Sequence, residues 1–461
     1  MHKFLNKVFV IPHANDFAAY NPEVWAQESL MILEKNLVMA NLVHRDFENA
    51  IASSGDVVNT RAPASYAFTR KGDSDDVTIQ DGTATNVAVK LNQHGHVSFL
   101  IRDAEQAKSF KDLVNENLRP AMIAMAQGID ETVMGQMWSF YRDGNVVGKL
   151  GTDVTRASLT AMREKMNTNL VPMDGRNLAI CSNLEEGLLN VDNVVTADKV
   201  GDEGSKLRSG SLGELYGLQT VMTQVAPQIA TGNTSDGGQV DNGAGYPAGT
   251  TTLTVDTFSA AVLAGTWCTI AGDMTPQRIT AATGTPCTSI TISPGLQYAV
   301  ADEAVITDFT PGAINLGAGY AIDYAKTLVT NGFSVAPKVG QLISFGASAA
   351  NLYGALSTPT TTALNVNDAL RVALTNGDVV GIGPSGNYGF GFHRNAISLV
   401  VRPMATPIEG TGARSAVVNY NGLALRVTVS YSGVKQGHIV TVDLLYGVKV
   451  LDTSLGTIML G

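Results

Sequence analysis

The chain has 461 residues, with 31 Lys and Arg against 41 Asp and Glu, a formal charge of −10 and a pI near 5.2; 44% of it is hydrophobic and 16% charged. That length and apolar content predict about three domains with real cores and exclude wholesale disorder, while the acidic balance excludes a dedicated nucleic-acid reader, which needs a basic excess to neutralise phosphates. A charged fraction well under the usual quarter or so, together with 47 Gly, predicts a surface partly covered by neighbouring subunits.

Cys181, Cys268 and Cys287 are too few for a disulfide framework and lack metal-ligand spacing, which points to a reduced, cytoplasmic setting. Near the start, Lys3 and Lys7 flank a short apolar patch, Val8 to Ile11, that is shorter than a signal-peptide core. No stretch approaches the roughly 18 to 20 apolar residues of a bilayer span, so no membrane partner is expected.

In chain order, Asn21-Pro22-Glu23 reads as a helix start, and Ala26, Leu30, Leu33, Leu37 and Ala40 give one apolar stripe, an amphipathic arm that needs a surface to cover. From Val57 to Arg102 the pattern becomes that of strands, with Val87, Val89 and Leu91, then Val97, Phe99 and Ile101, alternating with polar residues around an Asp81-Gly82 turn. The middle of this excursion carries Arg70, Lys71, Asp73, Asp75 and Asp76 with almost no apolar cover, which predicts a hairpin projecting onto a partner. Asp103 and Gln106 form a capping-box pair opening a helix toward Asn117, which Pro120 then interrupts or kinks. The longest helix should follow, over 120–142, with Met122, Met125, Ile129, Val133, Met137 and Phe140 on a core-facing stripe.

A shorter helix is expected over Arg156 to Asn167 and an apolar strand at Leu178 to Cys181. The segment 232–249, with Asp236, Asp241 and many Gly and Asn, reads as a flexible acidic loop. Beyond it lies an internal repeat. Thr252-Leu253, Phe258-Ser259 and Gly265 match Thr327-Leu328, Phe333-Ser334 and Gly340, and after a one-residue slip Leu296, Ala299 and Val305 match Leu370, Ala373 and Val379. Two copies are too few for a solenoid and predict paired β modules inserted in a host domain. After Gly383 the alternation of Ile397, Leu399 and Val401, then Leu423 to Tyr431, then Val440 to Tyr446, predicts a closing sheet packed on the long helix, an α+β body.

No motif carries chemistry: there is no phosphate loop, dinucleotide fingerprint or His-Glu-x-x-His, and Ser385 is not in a nucleophile elbow. No catalytic, cofactor or metal residue is named. His94-x-His96 places two imidazoles on one face of a strand with no acid nearby in sequence, and surface histidines in a turn are the simpler reading. Cys268 and Cys287 could meet across a hairpin but read as free thiols; His44-Arg45-Asp46 and His393-Arg394 read as structural ion pairs.

The order of elements resembles the major capsid protein of tailed double-stranded DNA bacteriophages, and in particular the short-tailed-phage coat family. The residues carrying the resemblance are Pro22-Glu23-Val24-Trp25-Ala26 with Leu37 to Arg45, Gly391-Phe392-His393-Arg394-Asn395-Ala396 with Leu399 to Pro403, and Leu425-Arg426-Val427 through Leu445-Tyr446-Gly447-Val448-Lys449. The resemblance implies a Hong Kong 97-like α+β fold with a β-rich insertion: an N-terminal arm at 1–56, an extended loop at 57–102, a peripheral domain with a spine helix at 103–142, an axial domain at 143–227, the insertion at 228–383, and a return to the axial and peripheral sheet at 384–461. It further implies self-assembly through pentamers and hexamers into an icosahedral shell around the genome in the host cytoplasm. Expected partners are a scaffolding protein, a portal and non-specifically packaged DNA. Inter-subunit contacts are expected at Arg70, Lys71, Asp73, Asp75, Asp76, Asp236 and Asp241. Two alternatives stand beside this reading: a β-rich tail, decoration or surface-layer protein, which would not need the long helices, and a hydrolase on an α/β body, for which no convergent triad or carboxylate pair is visible.

Overall fold

The computed structural model of the chain describes residues 22–45, 57–61, 68–74, 76–77, 79–80, 86–102, 114–141, 145–191, 210, 212–229, 238–258, 262–307, 314–333, 336–346, 352–356, 360–408, 413–420 and 423–461. Pro22 opens a helix, Pro22–Asn36, whose Glu23 and Lys35 lie at the ends the helix dipole favours. Trp25, Ala26, Leu30 and Leu33 are buried along one face. The expected stripe ran unbroken to Ala40, but the helix stops at Asn36 and resumes as a single turn, Met39–Leu42. The cause is distant in sequence: the carboxylate of Asp130 accepts the N–H of Val38 at 2.8 Å and of Ala40 at 3.0 Å, replacing helical acceptors.

The long helix begins as a π turn, Val114–Leu118, and continues as Arg119–Gly135. Pro120 thus marks an interruption of the regular α pattern, since the turn before it is π and the α-helix proper starts at Arg119. It sits in the first α turn, where the widened preceding turn accommodates its missing donor. The expected α-helix to 142 instead tightens into a 3-10 turn, Gln136–Phe140. Gly135 marks the change, because a Cβ there would stand 2.6 Å from the Cβ of Asn367. Met122, Met125, Ile129, Val133, Met137 and Phe140 are all buried. The capping box at Asp103 and Gln106 and the turn at Asp81-Gly82 lie outside the described residues.

The closing sheet is organised by one strand, Gly437–Val450. Along one edge it pairs with Leu423–Ser432 and then Ile397–Arg402; along the other it pairs antiparallel with Gln93–Arg102, from Gly437 opposite Arg102 to Tyr446 opposite Gln93. Arg414–Tyr420 completes the five strands. The N-terminal helix packs on the long helix and on Arg414–Tyr420 and Leu423–Ser432, and the long helix also covers Gln93–Arg102. A second, mixed sheet has the order Val146–Gly148, Gly456–Leu460, Gly386–His393, Arg176–Ile180, Leu218–Met222, Glu214–Leu215, with Gln228–Ile229 against Gly386 and Asn387. The helix Arg156–Thr168, capped by the Thr155 and Ser158 side chains, buries Leu159, Met162 and Met166 against it. The body is thus α+β, with one hydrophobic core shared by both sheets and the long helix.

Between Ile229 and Gly386 the chain builds two β modules with separate cores. The first is a closed barrel of Gly238–Val240, Thr252–Asp256, Trp267–Ile270, Gln277–Thr283, Ser289–Ser293 and Val305–Thr307. The second has a three-stranded sheet, Leu352–Gly354, Leu342–Phe345 and Val380–Ile382, and a two-stranded one, Leu328–Val329 with Ala363–Leu364. Equivalent positions of the repeat do equivalent work. Tyr246 and Val300 exchange both backbone hydrogen bonds at 2.9 and 3.0 Å, and Tyr320 and Leu374 do so at 2.8 and 2.9 Å. The Tyr246 hydroxyl accepts the N–H of Thr254 at 3.0 Å, as that of Tyr320 accepts the N–H of Val329 at 2.6 Å. Gly265 and Gly340 both adopt positive φ, +102° and +76°, a backbone state that L side chains disfavour.

The expected acidic loop at 232–249 needs correcting for its second half. Residues 238–240 are a barrel strand, and Tyr246 is pinned at both its backbone and its hydroxyl. Phe258 packs where a side chain at Gly238 would stand, so the glycine that reads as loop composition is a core contact.

Candidate assembly surfaces

The base of the projecting hairpin is a short ladder, Val57–Arg61 against Asn86–Lys90, with Val57 opposite Lys90 and Arg61 opposite Asn86. Its anchor is small: Val89, Leu91, Val400 and Leu445 form a separate buried cluster under the closing sheet. Beyond the ladder, the described residues between 68 and 80 have no strand partner. Arg70, Lys71, Asp73 and Asp76 are exposed there, and Asp75 lies outside the described residues. The sequence reading stressed these charges and missed the apolar groups among them: Phe68 and Ile79 are 87% exposed and Val77 72%. Fully burying one such side chain is worth roughly 1.5–3 kcal/mol, so covering all three would outweigh any rim ion pair. Their signal in the sequence was weak, since three apolar residues scattered among charges carry no period.

The inserted modules present a different surface. Asp241 is exposed and donates its N–H to the carbonyl of Thr254 at 3.0 Å; Asp236 lies outside the described residues. Among the described residues no ion pair joins Asp241 to Arg70 or Lys71. The Lys90 ammonium does reach Asp323 of the second module at 2.6 Å, tying the hairpin base to the insertion. Both partners are more than 40% exposed, so the pair contributes about 0–1 kcal/mol. It spans a cleft of about 710 Å³ that is also lined by Gln136, Asp368, Arg371 and Asp452.

The junction of modules and body is far stronger. Trp138, at the end of the long helix, donates from Nε1 to the carbonyl of Gly340 at 3.0 Å and packs edge-on against Tyr388 at 5.0 Å between ring centroids. Tyr141 donates to the carbonyl of Pro276 and meets Trp267 at 5.8 Å, and burial pushes its hydroxyl pKa upward. Arg371 bridges the second module to Gln136 Oε1 at 3.1 Å while its guanidinium stacks over Tyr353.

Two polar sites were underread from sequence. Asp130 is 4% exposed, and burial raises its pKa from 3.8 to about 6 although the N–H groups of Val38, Met39 and Ala40 favour the carboxylate. The sequence places it anonymously on a helix, and only packing shows what it holds. His94 and His96 stand exposed on the strand Gln93–Arg102, not in a turn, with rings 5.7 Å apart. The fold brings them an acid absent from their sequence neighbourhood: Asp443 lies 3.6 Å from His94 Nε2. That carboxylate is already forked by Arg426, and no group of three or more metal-ligating side chains occurs among the described residues. His44 serves through its backbone, donating to Ile397 and accepting from Leu399; Asp46 is not among the described residues. His393 is buried, which lowers its pKa, and its Nδ1 accepts the N–H of Asn395 at 3.2 Å. The three cysteines are free and buried.

No family model and no curated relative matches the chain. Among solved structures it is similar to one from Mycobacterium phage Che8, with 12% identity, 92% of this chain and 90% of that one covered, and a TM-score of 0.40. It is also similar to the capsid structure of the cyanophage P-SCSP1u, with 10% identity, 92% and 88% coverage and a TM-score of 0.41. A third is the mature capsid of bacteriophage PhiM1, with 8% identity, 91% and 86% coverage and a TM-score of 0.37.

Proposed function

We propose that this chain is the major capsid protein of a tailed double-stranded DNA phage, a structural subunit that self-assembles into the icosahedral shell around the genome. The observation that carries this is the projecting hairpin. A ten-residue strand is stitched along its whole length into the closing sheet, yet the segment it leads to exposes Phe68, Val77 and Ile79 that no described part of the chain covers. A neighbouring copy supplies that cover in a lattice, where each subunit is held by many modest contacts. Residues 57–102 are then the extended loop, the long helix through Phe140 the spine, and the two β modules the insertion.

On this reading the work of the protein is association. The hairpin base hangs on a small core and one exposed ion pair, so the loop can change its angle to the body as the shell expands, while the aromatic junction keeps the modules in place. An acidic chain suits packing DNA without holding it, since counterion release would favour binding only to a basic lining. A scaffolding protein and a portal are the further partners expected during assembly.

Sedimentation velocity and negative-stain electron microscopy of the full chain, alone and with candidate scaffolds, test the reading. Closed shells or regular capsomers are expected; a compact monomer at high concentration under every condition overturns it. The double substitution Phe68→Ser and Ile79→Ser should suppress assembly while leaving subunit unfolding within about 0.5 kcal/mol, because neither side chain packs in the subunit.

A further inference from the structure

His94 and His96 lie two residues apart on the strand Gln93–Arg102, which is paired with Gly437–Val450 along its whole length. The period of a strand sends both side chains to one face, and the ladder holds their backbones in place. Both are exposed, and their ring centroids are 5.7 Å apart. Two nitrogens bound to one ion at about 2.0–2.1 Å each lie roughly 3.3 Å apart, and an imidazole nitrogen stands about 1 Å from its ring centre, so rings at this separation need only turn toward each other. The neighbouring strand adds a carboxylate. Asp443 is opposite His96 in the ladder, and its Oδ2 lies 3.6 Å from His94 Nε2. Arg426 forks that carboxylate, with Nε donating to Oδ1 at 2.9 Å, but a carboxylate has about four lone-pair positions, and one left over can take the His94 N–H. An imidazole whose N–H is drawn to a carboxylate presents its other nitrogen as a stronger donor, the arrangement that supports histidine ligands in metal sites. Ser98 and Thr441 continue the same face with their hydroxyls 2.9 Å apart, so a hydrated ion meets polar ground there.

We infer that His94 and His96 chelate one divalent transition-metal ion of the zinc and copper class, with water in its remaining positions and Asp443 outside the ligand shell. Two protein ligands are fewer than the four of a closed structural site, so the ion is exchangeable and the subunit folds without it. Neutral imidazole favours this class over magnesium and calcium, which take oxygen ligands. Chelation by two imidazoles on one paired strand is what separates this pair from a lone surface histidine, because the second nitrogen binds an ion already held beside it. The inference concerns the isolated subunit and does not depend on shell assembly.

Calorimetric titration of the unassembled full-length chain with zinc chloride tests it, against His94→Ala, His96→Ala and the two combined, with His2→Ala plus His13→Ala as a control for histidines elsewhere in the chain. One equivalent should bind the natural chain and the control, and binding should be at least about tenfold weaker in either single variant, where chelation is lost. Both side chains are exposed, so these variants should keep the natural stability within about 0.5 kcal/mol, checked by urea unfolding. Excess magnesium chloride should not compete; competition would assign an oxygen-ligand site and overturn the inference. Electron paramagnetic resonance with one equivalent of cupric ion gives a second reading, with two nitrogen ligands expected in the natural chain and one in each single variant. No zinc binding by the natural chain, equal affinity in the combined variant, or a copper spectrum unchanged by both single substitutions overturns the inference.

Discussion

The two β modules share a tyrosine clasp and a positive-φ glycine, yet the first is a barrel of continuous ladders and the second joins equivalent strands by shorter ladders and single bridges. In the first, Gln277–Thr283 and Ser289–Ser293 form a long hairpin that completes the circle. The equivalent strands of the second, Leu352–Gly354 and Ala363–Leu364, keep the corresponding neighbours, Leu342–Phe345 and Leu328–Val329, but meet each other only at the bridge between Ala355 and Val366 and the Leu356 N–H to the Asn365 carbonyl at 2.9 Å. The body accounts for the difference. Gly354 packs against Gly135 at the end of the long helix, and Asn367 takes the Gly354 N–H at 2.8 Å while lying where a Gly135 side chain would be. The second module has a shorter ladder where it docks. A repeated sequence sets the turns and core positions, and the neighbours decide how far each ladder runs.

The largest perturbation of this contrast is Trp138→Ala. It removes a fully buried ring and the donor to Gly340, and should cost about 3–5 kcal/mol in denaturant unfolding. Hydrogen exchange should rise in 338–356 and in the last turns of the long helix more than in the barrel; a uniform rise would show that the two modules depend on the body equally. Ile270→Ala, in the barrel core, should cost about 2–5 kcal/mol, with faster exchange confined to 238–307. Spread of that effect into 314–382 would mean the modules fold as one unit.

Asp130 tests the body apart from the modules. Its folded pKa of about 6 lies above the ordinary 3.8, so the folded state holds the proton more tightly. This contribution to stability is complete below pH 3.8 and is lost as pH rises through about 6, a change on the order of 3 kcal/mol. Asp130→Asn should flatten that part of the stability profile between pH 4 and 7, measured as urea midpoints, and leave barrel exchange unaltered. The smallest effect belongs to Lys90→Ala, which removes the clasp to Asp323 and should change stability by at most about 1 kcal/mol, less in high salt. A larger loss would mean that the hairpin base is held to the second module more firmly than its exposed geometry indicates.

The elements with a strong period were legible beforehand. The helix Arg156–Thr168, the Met-rich stripe of the long helix and the alternation in Leu423–Ser432 and Gly437–Val450 follow from spacing alone, because a buried face imposes its period on the residues that line it. The spacing of about 75 residues between the β modules was legible too, since like turns and core positions need like residues. Of the candidate contact residues, Arg70, Lys71, Asp73, Asp76 and Asp241 are exposed, but no described interaction joins the two groups, and the more telling Phe68, Val77 and Ile79 passed unnoticed for want of a pattern.

What the sequence determined by itself is the set of pieces and their order, because helix and strand periods and turn residues act over a few neighbours. The break in the N-terminal helix at Leu37 and Val38, the 3-10 ending after Gly135, the carboxylate beside His94 and the shortened ladders of the second module were decided only by tertiary structure. Each depends on a group tens to hundreds of residues away: Asp130 at the amides of Val38 and Ala40, Asn367 against Gly135, Asp443 across the strand pair, and Gly135 beneath Gly354. A hydrogen bond or a close contact across such a separation leaves no local period to read, and its strength comes from burial that exists only once the chain is folded.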